Sequence, residues 1–75
     1  MFKKKVDLYL DIKNYGIGIL YIETSNQKKH KDYIPIPEGV VSQGVVRKID
    51  KLKEVISKYI KSNRLNVQEV NYVLN

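Results

Sequence analysis

Val6-Asp7-Leu8-Tyr9-Leu10-Asp11-Ile12, then Lys13-Asn14-Tyr15-Gly16, then Ile17-Gly18-Ile19-Leu20-Tyr21-Ile22-Glu23-Thr24: the reading of this stretch decides the fold. Its first part alternates apolar and polar residues and is rich in strand formers, so it predicts a strand with one buried face. The next four residues include Asn and Gly, which tolerate the positive φ of a tight turn. The run from Ile17 to Thr24 is apolar on both faces and reads as a strand near the middle of a sheet. Together the two runs predict an antiparallel hairpin.

Working outward, Ser25 to Lys31 is polar throughout and reads as an exposed hairpin tip. Tyr33-Ile34-Pro35-Ile36-Pro37 resumes an extended path, and its prolines, which cannot donate to a ladder, place it at a sheet edge. Glu38 to Gly44 reads as a loop. From Val46 the period changes: Val46, Ile49, Leu52, Ile56, Tyr59 and Ile60 fall at helical spacing, with most lysines off that stripe. Asp50 in the first turn, with Lys58 and Lys61 in the last, suits the helix dipole. Val67 to Leu74 returns to extended character.

A strand that follows a crossover helix joins a sheet in parallel with a right-handed connection. The expectation is therefore an α/β (α+β) domain spanning residues 1–75, ordered β-β-β-α-β. Its strands lie near 5–12, 17–25, 31–36 and 67–74 and its helix near 47–62, in a mixed four-stranded sheet of order 3-2-1-4. One helix covers one face of such a sheet. The second strand asks for cover on both, so the open face predicts self-association, or a chain that is the first part of a larger domain.

Composition narrows the classes. A chain of 75 residues buries only about 60% of its unfolded surface, enough for one small core. There is no Cys, which excludes a disulfide framework and a Cys-ligated zinc site. No apolar run approaches the roughly 20 residues of a membrane-spanning helix. Met1-Phe2-Lys3-Lys4-Lys5 resembles the start of a secretory leader, but Asp7 and Asp11 interrupt the apolar region that should follow, so the chain reads as cytosolic. The net charge of +6 suggests nucleic acid or an anionic surface. Yet Lys, Ile and Asn supply 27 of the 75 residues, a bias that A/T-rich codons alone produce, and the lysines are dispersed.

Three stretches over roughly residues 5–60 carry a family resemblance. Val6 to Ile22 is similar to a first hairpin holding a phosphate loop of pattern D-I-G-[ST]-x-x-x-K. Tyr33-Ile34-Pro35-Ile36-Pro37-Glu38-Gly39-Val40-Val41-Ser42-Gln43-Gly44-Val45-Val46 is similar to a segment reading P-L-P-E-G-x-[VI]-x-[DN]-G-x-[IV], and Leu52 and Ile56 fall where the next helix has its core residues. These features resemble the N-terminal part of the ribonuclease-H-like lobe of actin-like ATPases, above all the PilM family of type IV pilus assembly and more distantly FtsA. The resemblance implies a cytoplasmic adaptor at the inner face of the membrane that captures the short cytosolic tail of a pilus inner-membrane protein.

It also implies a nucleotide loop at Asp11, Lys13 and Asn14, and a motif segment marked by Pro37, Glu38, Gly39 and Gly44. Asp11 and Ile12 match the family pattern. The family Gly is Lys13 here, the hydroxyl residue is Asn14, and the family Lys is Gly18. That Gly lets backbone N–H groups approach phosphates and the Lys supplies charge, so their displacement implies a degenerate loop with weak affinity for ATP/Mg and no turnover.

The remaining candidates have plain structural alternatives. Asp11 also reads as a strand-end residue that caps the turn through Asn14, and Asp7 and Glu23 are its only nearby carboxylates for two-metal chemistry. His30 stands among lysines and reads as solvated. Six tyrosines and Phe2 raise base stacking, but Tyr9, Tyr21, Tyr33, Tyr59 and Tyr72 all fall in periodic elements and read as core or sheet-face residues. Two readings follow: a non-catalytic scaffold like the PilM lobe, and a small basic module that binds nucleic acid through its sheet face.

Overall fold

A computed structural model describes residues 3–74. Met1-Phe2 and Asn75, and with them the first two residues of the leader-like start and the stacking role raised for Phe2, lie outside the described residues. The chain is α+β. Strands β1 (Lys4–Ile12), β2 (Gly16–Glu23) and β3 (Lys29–Pro35) precede a small hairpin of β4 (Val41–Ser42) and β5 (Val45–Val46); helix α1 (Ile49–Ser62) and strand β6 (Leu65–Leu74) follow. The main sheet has the order β3-β2-β1-β6, with β1–β2 and β2–β3 antiparallel and β1–β6 parallel. The last strand takes the place beside the first that the crossover argument assigns it. It is sixth rather than fourth in the chain because the region expected to be a loop folds as the β4–β5 hairpin.

That hairpin has a local cause. Gln43 and Gly44 both take positive φ, 53° and 72°, which is the backbone of a two-residue mirror-image turn matched to strand twist. Its register sets Val41 opposite Val46 and Ser42 opposite Val45. Gly39 takes φ +86° with open space around it, so its role is conformational. Two of the motif residues, Gly39 and Gly44, thus serve the path of the backbone.

The β1–β2 turn works differently from the sequence expectation. Ile12 pairs with Ile17, and the Lys13 N–H donates to the Gly16 carbonyl at 2.9 Å. Neither Asn14 nor Gly16 adopts positive φ. What Gly16 supplies is space: a Cβ there would run into the Tyr33 phenol and come within 2.8 Å of the Ile34 carbonyl. Gly16→Ala is expected to destabilise the fold by about 1–3 kcal/mol in urea unfolding. Adding Tyr33→Ala should recover only part of that loss, because the Ile34 carbonyl is backbone.

The core lies on one face of the sheet. Val6, Leu8, Leu10 and Ile12 of β1 share that face with Ile17, Ile19 and Tyr21 of β2, and all are buried. The cover has two parts. Helix α1 contributes Leu52 and Tyr59, while the segment between β3 and α1 contributes Ile36, Val40 and Val41. Val40 also holds that segment to the helix start, its carbonyl accepting from Arg47 N–H at 2.8 Å and Lys48 N–H at 3.2 Å. Val46, expected on the helix stripe, lies in β5, and Ile49 is exposed.

Tyr59 is nearly buried, and its hydroxyl donates to Asp32 Oδ2 on β3 at 3.1 Å. Burial first, and then the Asp32 charge, hold this phenol well above its ordinary range. A raised folded-state value stabilises the fold below the unfolded value, about 10 for a tyrosine, and that stability is lost as pH rises beyond it. Unfolding free energy is therefore expected to fall above about pH 10, and Tyr59→Phe should flatten that alkaline limb in pH-dependent urea melts.

Candidate functional site

The β1–β2 turn and the Pro37–Gly44 segment meet in space. A cleft of about 200 Å³ between them is lined by Asn14, Tyr15, Glu38, Gly39, Val41 and Ser42. Asn14 is thereby brought to Glu38 and Gly39, more than twenty residues on in sequence, the two segments joined by the Ile36 N–H donating to the Tyr15 carbonyl at 3.1 Å. Pro37 and Gly44 do not line the cleft. Asn14 Oδ1 is buried there without a hydrogen-bond partner among the described residues.

Asp11 and Lys13 stand apart from the cleft, on the surface. The Lys13 Nζ lies 3.5 Å from Asp11 Oδ2, with both side chains about half exposed. The ammonium thus has a carboxylate beside it, and the Lys13 N–H is engaged in closing the turn. A phosphate cradle needs free N–H groups and unmatched positive charge, and neither of these two groups supplies it. Gly18, in the family position of the Lys, pairs with Asp11 across the ladder, and a Cβ there would touch the Asp11 Cβ at 3.4 Å.

The other face of the sheet is open. By register it carries Asp7, Tyr9 and Asp11 from β1, Gly18, Leu20 and Ile22 from β2, and Lys29, Lys31 and Tyr33 from β3. A shallow groove over Tyr9, Gly18, Leu20, Lys31 and Val73 runs across it. Leu20 and Ile22 are only half-buried and Tyr9 is partly exposed, so the apolar middle of this face meets solvent between a basic stripe on β3 and an acidic stripe on β1. Of the five tyrosines expected in the core or on a sheet face, Tyr21 and Tyr59 are in the core, and Tyr9, Tyr33 and Tyr72 lie on strands with their rings exposed to solvent.

His30 is not in a solvated tip. Strand β3 starts at Lys29, which sets His30 opposite Tyr21 on the core side of the sheet. Its ring stacks on Tyr21 with centroids 4.6 Å apart, and its Nε2 lies 2.6 Å from Glu23 Oε2. The hydrogen bond from His30 is the main cause that holds the Glu23 carboxyl below its usual range, against the opposing effect of burial. The hairpin register is the cause: pairing Ile22 with Lys29 pairs Tyr21 with His30.

Among the described residues no group of three or more His, Asp or Glu side chains could hold a metal ion, and no helix is long and apolar enough to cross a membrane. Comparison with protein-family models, curated proteins and solved structures finds no match. The functional reading therefore rests on the geometry of the chain itself and on the motif resemblance.

Proposed function

We propose that the chain is a non-catalytic protein-binding module of the PilM type, acting in the cytoplasm at the inner face of the membrane by capturing a short peptide tail of a pilus component. The observation that carries this reading is the open sheet face, where apolar Tyr9, Leu20 and Ile22 lie between Lys29/Lys31 and Asp7/Asp11. Such a face offers apolar contact with charges of both signs to orient a peptide, as protein interfaces do. The self-paired Asp11–Lys13 turn supports a weak or absent nucleotide site.

Calorimetry tests it with two titrants. A peptide from the cytosolic tail of the type IV pilus inner-membrane protein should bind, and binding should be lost in Leu20→Lys. Micromolar Mg-ATP binding abolished by Asp11→Ala, or any hydrolysis, would overturn the adaptor reading.

A second reading has an observation of its own: Tyr9 and Tyr33 stand exposed on the same face as Lys29 and Lys31, the arrangement a single-stranded nucleic acid would stack on. Asp7 and Asp11 on that face repel phosphates, which favours the first reading. Binding to random single-stranded DNA with a steep negative salt slope would reverse that preference.

A further inference from the structure

The two edges of the main sheet are built differently. On β3 the edge presents Lys29, His30, Lys31, Asp32 and Pro35, charges and a proline of the kind that keep edges from pairing. On β6 the ten residues contain no Pro, Lys or Arg, and Glu69 is the one charge. Strand β6 pairs with β1 along one side, and no strand of the described residues pairs with the other.

The exposed apolar side chains gather at the same edge. Val70, Tyr72, Val73 and Leu74 are exposed by 50%, 69%, 59% and 38%. The register shift after Val67 places Val70, Tyr72 and Leu74 on the core side of the sheet, level with Leu8, Leu10 and Ile12 of β1. The β1 residues are buried and their β6 neighbours are not. A guarded edge and a bare one on the same small sheet need different explanations.

We propose that the β6 edge pairs antiparallel with β6 of a second copy of this chain, joining two four-stranded sheets about a two-fold axis. An isologous contact needs a self-complementary surface, and β6 has one. A register centred on Tyr72 sets Val70 opposite Leu74 of the second copy and brings the two Tyr72 rings side by side, pairings of the aromatic and branched kinds that stabilise sheets. The two Glu69 side chains then lie at opposite ends of the contact. Electrostatics selects the same edge: each copy carries a net charge of +6, and of the two edge strands of the main sheet β6 is the one without a basic residue, so two copies meet there with the least repulsion. The β3 lysines sit at the far side of the sheet. This contact uses an edge that the proposed peptide-binding face leaves free, and it stands or falls independently of that reading.

Sedimentation equilibrium of the 75-residue chain, from about 10 µM to about 1 mM, should show a mass rising toward two copies, as a small edge contact implies a weak dimer. Amide exchange at the upper concentration should slow in β6 and not in β3. Tyr72→Lys, which opposes two cations at the centre, should weaken the dimer roughly tenfold or more. Tyr15→Lys, equally exposed in the β1–β2 turn, should leave it unchanged. Far-UV circular dichroism checks the fold of each, and if Tyr72→Lys loses structure, Val70→Lys, which faces Leu74 of the second copy, takes its place. A single-copy mass throughout, a dimer indifferent to these β6 variants, or slowed exchange in β3 would overturn the proposal. So would β6 protection that arises only when an extended peptide of another protein is added, which would assign the edge to that partner.

Discussion

Leu52→Ala is expected to lower the unfolding free energy by about 2–5 kcal/mol, the range for truncating a buried leucine. Leu52 is 4% exposed and belongs to the cluster that joins α1 to the sheet residues Leu8, Leu10 and Ile19. A domain of this size rarely holds more than about 3–5 kcal/mol in its core, so the variant should be largely unfolded or close to its transition at room temperature. Urea melts followed at 222 nm measure it. A loss below about 1 kcal/mol would mean that the helix does not seal this face as described.

Val40→Asp is expected to abolish folding altogether. Val40 is 1% exposed, and it sits in the motif segment that the resemblance marks as characteristic. An unpaired carboxylate there costs several kcal/mol in desolvation, more than the whole stability of a domain this small. Glu38→Gln, two residues earlier on the exposed rim of the same segment, should leave the melt unchanged within about 0.5 kcal/mol. The contrast separates the two roles of the segment. If both variants fold normally, Ile36, Val40 and Val41 are not the lid described above; if both unfold, the rim is structural as well.

Much of the architecture was legible before any coordinates. The 6–24 stretch forms the antiparallel hairpin, the Pro-bearing strand lies at an edge, and Leu52 and Tyr59 are the buried members of the helix stripe. These features come from local periodicity and from the missing N–H of proline, both of which act within a few residues. The β4–β5 hairpin was not legible, because Gln43-Gly44 is a weaker signal than Asn-Gly and its strands are two residues long. For the candidate site, the motif residues were identifiable one by one. That Asn14 meets Glu38 and Gly39, while Asp11 turns to Lys13, depends on how the third strand returns past the first turn.

The sequence by itself determined the four strands of the main sheet and the helix, the mixed sheet with a terminal parallel strand, and an open face that one helix could not cover, because hydrophobic period and crossover handedness are properties of the chain. Tertiary structure alone decided three things. Gly16 is needed for space under Tyr33 and not for φ, since the phenol arrives from a strand seventeen residues away. His30 has Tyr21 and Glu23 as partners because the hairpin register carries it back across the sheet. And the irregularity in β6 after Val67 sets Val70, Tyr72 and Leu74 on the core side, beyond the reach of the helix. A one-residue shift moves every later side chain to the other face, and only the pairing with β1 shows where that shift occurs.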